Sequence, residues 1–185
     1  MSLIPLGFWA ASGGGGGAAA YDLLETQTLA SSAASVTFSS IPADYKHLQI
    51  RALARSDRSS NASSIAITVN NDTSANYVMH RLYGNGSSVT SQALTARSNI
   101  LDNGATSNTW ATGSFGASII DILDYSNTNK NTTIRIFDGK TTTENWVSLT
   151  SGLWLNTSAI TEIDFVNALG NNWVSGSRFS LIGIR

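Results

Sequence analysis

The chain has 185 residues, a net charge of -1 and no cysteine, which excludes disulfides and thiolate metal sites and leaves no electrostatic footprint for nucleic acid. Charged residues make up only 12% while Ser, Thr and Asn supply about a third, a balance that disfavours helix interiors and favours strands and turns. At this length one domain with a genuine core is expected.

Residues 1–20 read as an arm. Ile4, Leu6, Phe8 and Trp9 form an apolar anchor, and Gly13 to Gly17 follow as a hinge. The segment lacks a basic start, and Pro5 and Gly7 interrupt its apolar stretch. It is therefore expected to belong to the mature protein rather than to a cleaved leader. Each large side chain of the anchor contributes roughly 1.5–3 kcal/mol if buried. Ordering the glycines costs roughly 1–2 kcal/mol per residue. Those terms are comparable, so the arm should order only against a surface that supplies further contacts. That surface is either the arm's own domain or a neighbouring protein.

From Tyr21 to Arg185 apolar residues recur with period two, punctuated by turn residues. Ala34, Val36 and Phe38 alternate before Pro42, and Leu48, Ile50, Ala52 and Ala54 share a face. Ile65, Ile67 and Val69 lead to the turn Asn70-Asn71-Asp72, and Tyr77 to Leu82 precede Gly84-Asn85-Gly86. The segment from Ser88 to Ile100 has no clear period and allows a loop or a short helix. Ile119 to Leu123 is denser in apolar residues, which predicts a strand buried on one face and partly covered on the other. It should pair as a hairpin with Thr133–Phe137. Trp146–Leu155, Ile160–Val166 and Arg178–Ile184 complete about ten strands. The expected fold is all-β, a sandwich or jelly roll over residues 21–185 with a Gly-rich N-terminal arm. No apolar run is long enough to cross a bilayer as a helix.

Catalytic signatures are hard to find. His47 and His80 are the only histidines, and neither lies near a Gly-x-Ser-x-Gly elbow. Structural roles suit both. Asp121, Asp124, Asp138, Glu144 and Asp164 show no spacing that singles out a two-carboxylate pair. The oxygen-rich stretch Asn70–Asn76 lacks the glycine and terminal glutamate of a calcium loop, so it reads as a turn. Neither enzyme activity, nor a cofactor, nor a metal is expected. Arg51, Arg55 and Arg58 read as a solvated edge. The aromatics offer one binding chemistry, stacking on sugar rings, and Trp110 and Trp173 are the candidate glycan contacts because each sits in a polar, loop-like context.

Several phrases resemble a family of structural proteins of tailed bacteriophages: Tyr21–Thr26 through Val36–Pro42, Tyr45–Arg51, His80–Gly84, Ile120–Tyr125 and the closing Gly176–Ile184. The likeness covers nearly all of residues 21–185. It implies a non-enzymatic virion component, capsid- or tail-associated, with no catalytic motif to carry over. A capsid decoration or cement protein is the preferred reading. Its partners would be the major capsid or tail protein, reached through Ile4, Leu6, Phe8, Trp9 and the hinge from Gly13 to Gly17. By analogy with phage jelly-roll modules a homotrimer is expected. The alternative is a tail-fibre adhesion module that binds host glycans.

Overall fold

A computed structural model describes residues 20–61, 63–141 and 145–185, so the expected arm residues Ile4, Leu6, Phe8, Trp9, Gly13 and Gly17 lie outside the described residues. Twelve strands and no helix occur among the described residues: β1 (Tyr21–Thr28), β2 (Ser35–Phe38), β3 (His47–Ala54), β4 (Ile65–Val69), β5 (Tyr77–Gly84), β6 (Val89–Arg97), β7 (Ile100–Asp102), β8 (Gly116–Leu123), β9 (Thr132–Lys140), β10 (Trp146–Trp154), β11 (Ile163–Asn167) and β12 (Arg178–Ile184). They form two antiparallel sheets, an eight-stranded one in the order β1-β12-β3-β8-β9-β10-β5-β6 and a four-stranded one in the order β2-β11-β4-β7.

Alternation decides which residues meet between the sheets. Leu48 and Ile50 of β3, Ile120 and Ile122 of β8, and Ile134 and Ile136 of β9 point inward from the large sheet and are buried. Ile65, Ile67 and Val69 of β4 and Phe165 of β11 meet them from the small sheet, with Phe38 edge-on to Phe165 at 6.0 Å. The β8–β9 hairpin forms as the sequence predicts, with Ile120 opposite Ile136 and Ile122 opposite Ile134. Where the chain crosses from β4 to β5 it changes sheets, through Asn70 and Asn71 at φ 51° and 54°. Asparagine tolerates that left-handed backbone better than most residues. The sheets meet tightly at Gly152, where an added Cβ would sit 2.7 Å from Ile100 Cδ1.

One segment differs from expectation. Val89–Arg97 is strand β6, not a loop or a short helix. It is the edge of the large sheet, and most of its side chains are exposed on both faces, so no buried stripe imposed a period. Ala96 adopts φ 52° where the pairing with β5 shifts register between Tyr77 and Met79.

Candidate functional site

Four strands cannot cover eight, and the small sheet lies against one face of the large one only. Among the described residues, the opposite face of β8, β9, β10 and β5 therefore has no layer over it. Antiparallel strands in that position normally present polar side chains to water. Here the register lines up Ile119 of β8, Phe137 of β9, Leu149 of β10 and Leu82 of β5 in one row across the strands. These four are 39%, 52%, 56% and 49% exposed. Val147, in the next row, is exposed as well. The denser apolar stretch of β8 was expected to be partly covered on its second face; among the described residues no element packs there, and its outer positions run from exposed at Ala117 and Ile119 to half-buried at Asp121 and Leu123.

The row borders a groove of about 420 Å³ whose other wall is polar, with Asp121, Arg135, Ser151 and His80 in the adjacent register row. Asp121 stands directly opposite Arg135 and also accepts a hydrogen bond from Gln49 Nε2 at 2.9 Å. Two smaller hollows extend the groove along the strands, one toward Leu153 and Thr133 and one toward Gly139 and Val147. The site is thus a long apolar trough with a charged flank. It suits the burial of a hydrophobic partner.

The residues expected to carry glycan binding are not there. Trp110 and Trp173 are 3% and 0% exposed, a correction to the reading from their polar neighbours. Trp173 Nε1 donates to Phe165 O at 3.1 Å, and its ring lies on Phe179. Trp110 Nε1 points to Asn61 O, and the Lys140 ammonium lies 5.8 Å from its ring centre. Trp173 belongs to the core cluster with its backbone paired to Ala33, and Trp110 is buried beside Lys140, so the polar sequence context of each does not report where its indole lies. Arg55 corrects the solvated-edge reading in the same way. It is buried, and its guanidinium donates to the carbonyls of Ala111 at 2.6 Å and Trp110 at 3.1 Å, clamping the loop that carries them.

The two histidines lie apart from one another. His47 Nδ1 accepts the Asp124 N–H at 2.9 Å and so caps the β8–β9 turn, where Lys130 also binds the Asp124 carboxylate. That lysine hydrogen bond, more than any other contact, holds the Asp124 carboxyl below its ordinary range. His80 is four strand positions away from His47, out on the trough. Asp164 is engaged by Thr37 Oγ1 at 2.6 Å, and Glu144 lies outside the described residues. Asp72 anchors the Asn70–Asn76 turn, accepting from Trp154 Nε1 at 2.8 Å, Asn76 Nδ2 at 2.9 Å and the Ser74 N–H at 2.9 Å. Those bonds, Asn76 first, pull its pKa down to about 2.

A polar cluster that the sequence did not reveal lies between the sheets. Asp102 and Asp138 are 0% and 1% exposed. Asp102 Oδ1 accepts the Gly104 N–H at 2.6 Å, Asp138 accepts from Ser148 Oγ, and Lys140 Nζ donates to the carbonyls of Ser63 and Ala105, each at 3.1 Å. Burial, reinforced by the neighbouring Asp138, pushes the Asp102 carboxyl up to about 8, and burial raises Asp138 too. A shared proton between two such acids is a familiar catalytic device. Here both acids are sealed from solvent, and each is held by its own donor, Asp102 by the Gly104 N–H after β7 and Asp138 by Ser148 of β10. Among the described residues no group of three or more His, Cys, Asp or Glu is arranged to hold a metal ion.

Comparison of the chain with known protein families, with curated proteins and with solved structures finds no match.

Proposed function

We propose that this protein is a non-enzymatic structural component of a bacteriophage virion, of the capsid decoration or cement type, which contacts neighbouring virion proteins. The observation that carries the reading is the exposed apolar row Ile119–Phe137–Leu149–Leu82 on a sheet whose central strands bury their other face in the core. Contiguous apolar surface of this kind on a small domain marks an interaction site. The resemblance of residues 21–185 to phage structural proteins supplies the setting. A homotrimer attached through residues 1–20 is the assembly this reading favours.

A tail-fibre adhesion module is the second reading. Its support is Phe137, an exposed ring beside Asp121, Arg135 and His80, which together offer a stacking face and hydrogen-bonding groups for a sugar. Immunogold labelling of purified particles with an antibody to the domain separates the two. Regular labelling of the head supports decoration, and labelling confined to the tail tip supports adhesion. Unlabelled particles would sink both.

A further inference from the structure

The trough on the large sheet needs an occupant, and the chain carries one. Ahead of Ala20 lie nineteen residues with no charged side chain, and the large apolar ones, Ile4, Leu6, Phe8 and Trp9 among them, all fall within the first nine. Between Trp9 and Ala20 the residues are only Ala, Ser and Gly. Such a composition makes a tether, not a third sheet layer.

The place where the tether joins the domain is fixed. Arg185 N–H donates to Ala20 O at 3.2 Å, and Tyr21 pairs with Ile184 at the start of β1. From there the register runs straight across the sheet, from Ile184 to His47, Leu123 and Thr133. Phe137 is four residues further along β9 than Thr133. Four strand spacings of roughly 4.8 Å and four residues of roughly 3.4 Å put the trough about 23 Å from the exit point. Eleven residue steps from Ala20 back to Trp9 give a flexible tether a root-mean-square reach of about 18 Å and a limit near 38 Å. The trough therefore lies within easy reach. Exposed apolar residues mark the way on the same face, because Leu23 and Tyr21 pair with Ile182 and Ile184 on the outward side of β12.

From this match of length, exit point and chemistry we infer that the apolar segment Ile4–Trp9 docks in the trough of its own domain, across Ile119, Phe137, Leu149 and Leu82. A tether of this length holds the segment near its groove at an effective concentration in the millimolar range. That exceeds the concentration of any second copy in dilute solution, so the contact is intramolecular in the isolated protein. Docking shields the apolar row from non-specific association. On a particle a neighbouring copy offers the same groove, and the arm can exchange into it without a new kind of contact.

The absence of native cysteine gives a direct test on the full chain. Phe8→Cys is combined with Leu149→Cys in the trough, or with Thr161→Cys as a control. Thr161 is exposed and lies at the same end of the domain as Ala20, because Thr161 O binds the Ile41 N–H and Ile184 O binds the Lys46 N–H. Both positions are in reach of the tether, and only one lies in the trough. In dilute protein the Leu149 variant should form its disulfide at least about tenfold faster than the control, within one chain, as read by non-reducing electrophoresis. Equal rates would overturn the inference. So would a Leu149 disulfide that joins two chains. Particle incorporation plays no part in this measurement, so its outcome is independent of the virion reading.

Discussion

The two faces of the large sheet are made by the same strands, and they differ in kind. On β8, Ile120 and Ile122 are completely buried while Ile119, between Ser118 and Ile120, is 39% exposed. On β9, Ile134 and Ile136 are buried while Phe137 is half exposed. The inner residues interlock with Ile65, Ile67 and Phe165 of the small sheet and define the fold. The outer ones are equally apolar, yet the fold does not use them. Hydrophobicity alone therefore does not identify a core; a second layer does. A strand with apolar residues on both faces, in a protein with one covering sheet, has surface left over for something else.

That contrast predicts a graded series of responses. Ile120→Ala removes side-chain volume from a fully packed position and should cost about 2–5 kcal/mol, read as a lower midpoint in urea. A loss below about 1 kcal/mol would mean that the inner face is no better packed than the outer one.

The buried acids should give the domain a pH dependence of unusual sign. With its pKa raised to about 8, Asp102 keeps its proton in the folded chain and releases it near its ordinary value of about 3.9 when unfolded. Its contribution is fully present below that lower value and is lost as pH rises toward 8. Asp138 acts in the same direction. Asp102→Asn should flatten the fall in stability between pH 5 and 8, measured by chemical unfolding at each pH. An unchanged slope would place the effect elsewhere.

Asp72 has the opposite sign and a smaller effect, because it lies near the surface. Its depressed pKa adds stability above about pH 4 that disappears as pH falls toward about 2. The wild-type protein should therefore be more stable than Asp72→Asn at pH 7, and the difference should close on acidification. A gap that persists at pH 2 would show that the hydrogen bonds from Trp154 and Asn76 do not depend on the charge.

Deleting residues 1–17 should leave the domain folded and lower its melting temperature only by the modest amount that arm docking adds. It should also increase binding of an apolar dye to the uncovered trough and reduce incorporation into particles. A truncated domain that unfolds would make the arm part of the core.

Much of the fold was legible because alternation is a strong signal wherever one face is sealed. Strands β3, β4, β8 and β9 were visible for that reason. Edge strand β6 was not, because water touches both of its faces and nothing selects against a mixed pattern. The site was harder to read. The pattern of β8 revealed an excess of apolar residues but not whether a layer covered them. Trp110, Trp173 and Arg55 misled because sequence neighbours report a segment's own polarity, not where each side chain lies. The Asp102–Asp138 cluster joins residues from two sheets and has no local signature.

The central claim is that the outer row serves association and the inner rows serve folding. The most direct test is the double variant Phe137→Ser/Leu149→Ser, followed by unfolding in urea and by incorporation into particles. The account predicts a loss of stability no larger than arm docking supplies and well below the about 2–5 kcal/mol of Ile120→Ala, together with loss from particles. A variant that unfolds, or that assembles normally, would contradict it.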